Sequence, residues 1–264
     1  MDVSAMELTE AEFLGGDQIA TIEATLELVE ELTPTIYGVT LRLVDPPMMI
    51  FTAGQFVNVE VPGLARAGAR AFSMANSPRN NSQVELIVKR LPGGRFGGYL
   101  ESAAELGDVI RLHGPLGSLR VRPSYRKIIM VAGGSGLAPL MSMLTDLAEK
   151  RDRRPAALFF GARTRDELYR MERISRLCAM SSKLEFVPVI EHPTSEWSGE
   201  AGLVTKAIAR RMLSLKGYDA YLCGPPQMVE AARDVVLRLG VREPNVYYDA
   251  FVPTGSGTIP ATVS

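Results

Sequence analysis

The stretch KIIMVAGGSGLAPLMSMLTDLAEK, residues 127–150, decides the fold of the second half of this chain. Its first seven residues are nearly all apolar, which is typical of a strand buried on both faces of a parallel sheet. A glycine-rich turn and an apolar helix (137–150) follow directly. Glycines let a backbone approach a diphosphate, and the first amides of a helix lack intrahelical partners. Because Pro139 replaces the third glycine of the dinucleotide fingerprint, nucleotide site and tight structural turn both remain open.

The same alternation of strand and helix continues to residue 251. It predicts a doubly wound parallel sheet, covered by helices on both faces, over residues 123–254. The predicted strands are 127–133, 156–162, 184–190, 219–224 and 245–251, and the predicted helices are 137–150, 165–177, 204–213 and 226–240.

A second motif, YLCGPPQMVEAA (221–232), places Cys223 at the carboxyl end of a predicted strand, before a helix. Ligands of open α/β sheets bind outside the carboxyl ends of the strands. The two motifs are therefore expected to line one crevice. The alternative is that Cys223 is a small buried apolar residue, a common fate of a free cysteine.

The first half of the chain has a different pattern. Short alternating runs at 38–43, 55–61 and 84–90 are separated by Pro and Gly, and one helix is predicted at 96–105. This pattern predicts an antiparallel β-barrel. The predicted organisation is an acidic tail or linker remnant (1–18), a barrel domain (19–122), an α/β domain (123–254) and a flexible tail (255–264).

Composition excludes several classes of protein. Residues 1–31 hold nine acidic and no basic residues, and the remainder holds 21 acids against 29 bases. This indicates either an acidic tail on a solvated body or a basic face that attracts an acidic partner or anionic cofactors. The dispersed basic residues argue against nucleic-acid binding. The sequence has no apolar run long enough for a membrane span and no signal peptide, so a cytoplasmic protein is expected.

The two cysteines, Cys178 and Cys223, are too few for a cysteine-ligated iron–sulfur centre, which needs four ligands. With only two histidines besides, no metal site is predicted. Redox chemistry would therefore depend on a bound organic cofactor.

The barrel half also contains RAFSMANSP (70–78), which is an unusual composition for a barrel strand. The period of two puts Arg70 and Phe72 on one face and Ser73 on the other. A barrel strand that fills only its own core would not usually place a fixed cation next to a ring, so the residues alone leave open what Arg70 binds and what lies against Phe72.

Four segments in this order, RAFSMANSP, GGRFGGYL, VAGGSGLAPLMSML and YLCGPPQMV, resemble the ferredoxin–NADP reductase superfamily over residues 19–253. Within it the sequence is most similar to reductase components of bacterial multicomponent oxygenases, of the soluble methane monooxygenase type. The resemblance implies that Arg70 pairs with FAD phosphates, that Phe72 packs on the isoalloxazine, and that Ser73 lies near its N5. Further implied FAD-binding residues are Ile87, Val88, Lys89, Phe96, Gly97 and Gly98.

The same resemblance assigns the second half to NADH. The implied nicotinamide-cofactor residues are Gly133, Gly134, Ser135, Gly136, Cys223, Gly224 and Pro225. Phe251 would cover the other flavin face, whereas Asp249 is either an active-site acid or part of a final core strand. Glu191 stands where NADPH-using relatives tend to place residues for the 2′-phosphate, and its charge favours NADH over NADPH.

The function implied is hydride transfer from NADH to FAD, followed by release of single electrons to an iron–sulfur centre. The expected partners are a [2Fe–2S] ferredoxin domain or protein and the hydroxylase component of an oxygenase, with a monomer as the default state. Because four cysteines are lacking, the chain is either a piece of a longer reductase or a complete two-domain reductase with the layout of cytochrome b5 reductases. A flavin- or nucleotide-binding module without catalysis is the third hypothesis.

Overall fold

A computed structural model describes residues 19–60 and 69–251 of the chain. Two six-stranded sheets follow one another along the sequence. The first is antiparallel, with the order β4-β3-β6-β1-β2-β5, and one helix accompanies it. Its elements are β1 (Ala20–Thr33), β2 (Ile36–Asp45), β3 (Phe56–Glu60), β4 (Arg70–Ser73), β5 (Gln83–Lys89), α1 (Arg95–Ser102) and β6 (Val109–Leu116).

The first sheet closes into a barrel just after β4. Met74 forms a bridge with Leu86, and the Ala75 amide donates to the Glu85 carbonyl at 2.8 Å. The closed sheet surrounds an apolar core in which Leu41, Val57 and Met74 are fully buried. Closure removes the exposed edges that β4 and β5 would otherwise present.

The second sheet is parallel, with the order β10-β9-β8-β7-β11-β12. The first strand of this sheet, β7, lies in its middle. The next strands, β8 to β10, are added on one side of β7, and β11 and β12 are added on the other side. The gap between the carboxyl ends of β7 and β11 is therefore a topological switch point. The elements are β7 (Lys127–Gly133), α2 (Leu137–Glu149), β8 (Ala156–Ala162), α3 (Met171–Met180), β9 (Leu184–Ile190), β10 (Glu200–Ala201), α4 (Val204–Arg211), β11 (Tyr218–Gly224), α5 (Pro226–Arg238) and β12 (Val246–Ala250).

These elements confirm the predicted fold class, a β-barrel followed by a doubly wound α/β unit. One element differs clearly: the helix predicted at 165–177 begins only at Met171, because Arg170 has a left-handed conformation with φ of 57°. A short 3-10 turn occupies Arg165–Glu167 instead. The short-run pattern did not single out β1 and β6 as strands. The predicted tails, 1–18 and 255–264, lie outside the described residues.

Helix α2 lies between the two sheets. All its residues from Leu137 to Ala148 are buried, which is unusual for a helix that covers only one sheet. Its second face packs against the barrel: Ile36, Ala53 and Ala75 share one apolar cluster with the core of the parallel sheet. None of the helices within the described ranges is long and apolar enough to cross a membrane.

Candidate functional site

Strand β4 presents the residues of the RAFS segment. Phe72 is half-buried, and its ring lies 5.2 Å from the ring of Phe96 at an angle of 53°. The Arg70 guanidinium is also half-buried and donates to the neighbouring Ala69 carbonyl at 3.0 Å. Among the described residues it forms no ion pair. Ser73 is buried, with 7% of its surface exposed.

The first turn of α1 lies beside β4 and β5. Gly94 caps this helix without any side-chain hydrogen bond, so the first amides, at 95–97, remain available as donors. A Cβ on Gly97 would lie 3.9 Å from the Lys89 carbonyl oxygen, and one on Gly98 would meet no atom within 4 Å. Ile87 and Val88 are buried, so β5 can offer a ligand only its backbone and the exposed Lys89 there.

The glycine turn of the second half packs directly on the end of β11. A Cβ on Gly136 would overlap the carbonyl group of Cys223 and lie 2.5 Å from the Gly224 nitrogen. On Gly133 it would overlap the Met228 sulfur and lie 3.3 Å from Pro225 Cδ. The two motifs, about ninety residues apart in sequence, therefore do form one crevice at the switch point, as predicted.

Gly134 differs from its neighbours because its surroundings are open. Its φ is 54°, a left-handed conformation, and a Cβ there would meet no atom within 4 Å. Its carbonyl accepts a hydrogen bond of 2.7 Å from the hydroxyl of Tyr169. Burial raises the pKa of Tyr169, so this hydroxyl stays a donor at physiological pH. Gly134 and Ser135 are half-buried and accessible to a ligand.

Cys223, Asp249 and Phe251 are neighbours at the same sheet edge. Cys223 pairs with Asp249 in the register of β11 and β12, and the Phe251 amide donates to the Gly224 carbonyl at 2.9 Å. Cys223 is fully buried, and burial raises the pKa of its thiol well above the usual range. Burial likewise raises the pKa of Asp249. The cysteine is therefore a neutral thiol at neutral pH, beside a carboxyl group that holds its proton more strongly than usual.

Glu191 lies elsewhere, at the carboxyl end of β9. Its amide donates to the Ala162 carbonyl at 2.9 Å, and the His192 amide donates to the Arg163 carbonyl at 2.8 Å. The Arg163 guanidinium binds Glu167 at 2.6 Å. The loops after β8 and β9 are thus joined to each other and carry charged side chains. The end of β9 lies two strands away from β7 and the switch point.

Sequence reasoning missed two residues that shape this crevice, Tyr169 and Met228. Tyr169 lies 35 residues from the carbonyl that it binds, and no spacing rule connects the two. Met228 belongs to the second motif, but its contact with Gly133 depends on how α5 packs against the turn.

The donor set fits both cofactors implied by the sequence. For FAD, the structure offers the Arg70 guanidinium, which forms no ion pair with the part of the chain that the structure describes, together with uncapped helix amides and a half-exposed ring at Phe72 that Phe96 supports. For a dinucleotide, it offers an open backbone turn at Gly134 followed directly by a long helix.

Comparison with protein families matches both halves of the chain. Residues 23–121 match the oxidoreductase FAD-binding domain, and residues 130–234 match the oxidoreductase NAD-binding domain.

Similar proteins give a consistent picture. The chain is 37% identical over 246 residues to the phenol 2-monooxygenase reductase component DmpP of Pseudomonas sp. (strain CF600), covering 92% of this chain and 69% of that protein. It is 32% identical to the propane 2-monooxygenase reductase component of Mycolicibacterium goodii, covering 94% and 73%. The crystal structure of the Amycolatopsis cytochrome P450 reductase GcoB superposes with a TM-score of 0.82 at 30% identity, covering 90% and 71%.

A ferredoxin reductase of carbazole 1,9a-dioxygenase superposes with a TM-score of 0.78 at 33% identity, covering 89% of this chain and 70% of that one. The FAD-binding domain corresponds to the barrel, and the NAD-binding domain corresponds to the parallel sheet. The cofactors are therefore FAD and NADH. The chain belongs to the ferredoxin reductase-like family of FAD- and NAD-binding oxidoreductases, among the reductase components of oxygenase systems.

Proposed function

We propose that this protein is the NADH-dependent reductase of a multicomponent monooxygenase and that it delivers electrons one at a time to a [2Fe–2S] centre. The observation that carries the proposal is the crevice between β7 and β11, where the glycine turn packs on Cys223 and Gly224. Bound FAD supplies the chemistry, since it accepts a hydride from NADH and releases the two electrons singly.

The barrel residues would bind and orient the flavin. Arg70 has a guanidinium fork that matches phosphate oxygens, and the α1 amides add uncharged donors. Phe72 offers a face for stacking, and its contact with Phe96 fixes the tilt of that face. Ser73 is held in the buried end of β4, from which its hydroxyl would reach the reactive edge of the ring.

The residues at the other side of the crevice would keep the reaction dry. Cys223 is an uncharged, buried thiol, so it would offer van der Waals contact and a weak hydrogen bond without attracting water. Phe251, whose amide binds the Gly224 carbonyl, would cover the opposite flavin face and yield it to the nicotinamide. Burial raises the pKa of Asp249, so its carboxyl would hold a proton next to Cys223 more strongly than an exposed aspartate does. Hydride transfer itself needs no acid–base residue.

Glu191 would select NADH. A carboxylate at the end of β9 can accept a hydrogen bond from a free ribose 2′-hydroxyl and repels a 2′-phosphate. Glu191→Arg should therefore narrow the ratio of kcat/KM for NADH over NADPH, which steady-state assays measure. An unchanged ratio would show that Glu191 does not contact the adenosine ribose. Glu196→Arg, a charge reversal five residues further along the chain, is the matched control.

The acceptor would lie outside these 264 residues. This chain holds two cysteines, one of them fully buried, and cannot ligate a cluster through four. A [2Fe–2S] ferredoxin domain or protein is favoured because one of the similar proteins is named as the ferredoxin reductase in carbazole 1,9a-dioxygenase. The oxygenase hydroxylase would be of the class that attacks phenols or short alkanes, as the phenol and propane relatives suggest. The methane monooxygenase prediction falls within this class and stays a prediction.

Anaerobic reduction tests the proposal. The purified protein should be yellow, NADH should bleach its flavin, and a plant-type [2Fe–2S] ferredoxin should then be reduced. A colourless protein that does not take up FAD would refute the reductase. A yellow protein that NADH does not bleach would favour the non-catalytic binding module.

Other measurements test the remaining proposals. The sequence that flanks the coding region shows whether this chain is a piece of a longer reductase or a two-domain reductase. Light scattering tests the proposed monomer, and fractionation of cells tests the proposed cytoplasmic location.

A further inference from the structure

The second half of the RAFSMANSP motif, residues 74–78, follows strand β4, and its contacts point to another role than ligand binding. Asn76 is fully buried, and its side chain uses both donors and its acceptor. Nδ2 donates to the carbonyls of Asn80 (2.9 Å) and Gln83 (2.8 Å), and Oδ1 accepts from the Glu85 amide at 3.0 Å. The segment of residues 74–80 is therefore fixed to β5 immediately after the flavin strand ends.

The same segment is bound from the other side by α2. The Ser142 hydroxyl, in the middle of this helix, donates to the Asn76 carbonyl at 2.6 Å, and Ser142 has no exposed surface. At the end of the helix the Glu149 carboxylate accepts from the Ser77 hydroxyl, and its carbonyl accepts from Arg79 at 3.3 Å. Residues 76, 77 and 79 of this segment are thus joined to one helix of the other domain.

Helix α2 also carries the glycine turn, since it starts directly after Gly136. Gly136 and Ser142 are six residues apart, which is about 9 Å along a helix. Ser73 and Asn76 are three residues apart, at most about 10 Å of extended chain. The hydrogen bond from Ser142 to Asn76 therefore links the flavin strand to the nicotinamide turn by a short path through rigid elements.

Two further contacts support this rigidity. The Glu85 carboxylate, on the strand to which Asn76 is bound, forms an ion pair with Arg173 of α3. Gly54, with φ of 104°, lies so close to α2 that a Cβ would overlap the end of the Met143 side chain and lie 2.5 Å from the Leu119 carbonyl oxygen. The barrel therefore packs closely against α2 at Gly54.

We propose that Ser142 is a positioning residue for hydride transfer: through Asn76 it sets the offset between the flavin strand and the glycine turn. This inference rests on the proposed function. It requires that loss of the Ser142 hydroxyl slows the hydride step without weakening the binding of either cofactor, because a small displacement of reacting atoms lowers the rate more than the affinity.

The test compares Ser142→Ala with Thr145→Ala in the full chain loaded with FAD. Thr145 is on the same helix and also buried, but its hydroxyl donates only within the helix, to the Met141 carbonyl at 2.8 Å. Ser142→Ala should slow anaerobic flavin reduction at saturating NADH about tenfold. FAD occupancy and the calorimetric Kd for NAD⁺ should stay within about twofold of the wild type. Amide exchange at residues 75–80 should become faster in this variant and not in Thr145→Ala.

Equal reduction rates for Ser142→Ala and Thr145→Ala would overturn the inference, and so would a rate loss that merely follows the loss of Tm in both variants. If Ser142→Ala does not fold, Ser77→Ala, which removes the contact with Glu149, replaces it with the same expected outcome. Failure of the proposed function gives a different result, because NADH would then fail to bleach the wild-type protein.

Discussion

Gly136→Ala is the substitution for which the structure gives the sharpest expectation. Gly136 has φ of −63°, a conformation that alanine adopts freely, so the backbone itself does not oppose the change. The added Cβ would instead overlap the carbonyl of Cys223 and stand 2.5 Å from the Gly224 nitrogen. These are backbone atoms at the end of a central strand, and no side-chain rotation can relieve the overlap.

The size of the effect follows from the distance. Ordinary contacts of a Cβ begin near 3.4 Å, so the turn and β11 must separate by about 0.9 Å at the nitrogen and by more at the carbonyl. Forcing a methyl group into a packed interior typically destabilises the folded state by about 1–3 kcal/mol. We expect Gly136→Ala to lie near the upper end, about 3 kcal/mol, because the overlapping atoms belong to the backbone and cannot rotate away. The displaced turn should also bind NADH less tightly, because its amides no longer point at the same place. A shift of about 1 Å can lower kcat/KM about 100-fold.

Urea unfolding and steady-state kinetics with NADH measure the two effects. Gly134→Ala is the informative comparison: a Cβ there meets open space, but φ of 54° costs about 1–2 kcal/mol for an L-residue. We therefore expect Gly136→Ala to be the more damaging of the two for NADH kinetics. A Gly136→Ala protein with wild-type stability and wild-type KM would refute the argument that the two motifs are in contact.

Three other substitutions test separate parts of the site. Arg70→Ala removes a charge-assisted phosphate contact and should weaken FAD binding by about 1.5–3 kcal/mol, so full flavin occupancy after prolonged dialysis would contradict the assignment. Tyr169→Phe leaves the Gly134 carbonyl without its donor, at a cost of about 1 kcal/mol, and should raise KM for NADH about fivefold while kcat stays unchanged. Asp249→Asn should change the pH dependence of Tm. Burial raises the pKa of Asp249 in the folded protein. The contribution of this carboxyl to stability therefore falls as the pH rises from its unfolded pKa through its folded pKa. The variant should have a higher Tm than the wild type at pH 7 and the same Tm at pH 3.5. An equal Tm difference at both pH values would show that the carboxyl is solvated.

The sequence predicted most of the parallel sheet because its strands are nearly continuous apolar runs, and two of them, β7 and β11, end in glycine. β7, β8 and β9 have the predicted bounds to the residue. Even Pro188 does not interrupt β9. The helix predicted from residue 165 begins six residues later, since the left-handed Arg170 interrupts it and the charge pattern of this stretch does not reveal that turn. Helix periodicity records which residues are apolar, and it contains no information on a single backbone dihedral.

The barrel was harder to predict in detail. β1 runs for 14 residues with register shifts against β2 near Glu23, Leu26 and Glu31. Such irregularities break the strict alternation on which strand prediction depends, because an extra residue reverses the faces of everything after it. The pattern therefore predicted the class of the sheet and missed its longest strand.

The candidate site likewise has one contact that the sequence predicts and another that it does not. The contact between the glycine turn and Cys223 follows from chain order alone, since in a doubly wound sheet the first strand and the first strand of the second half become neighbours. The contact between Asn76 and Ser142 follows from no such rule. It depends on how the barrel is oriented on α2, and that orientation is set by shape, by Gly54 against Met143 and by the ion pair of Glu85 with Arg173. Sequence motifs can therefore predict what each domain binds, whereas the distance between the two bound cofactors depends on an interface without a motif of its own. Variation at that interface should accordingly change the rate of hydride transfer more than it changes cofactor affinity.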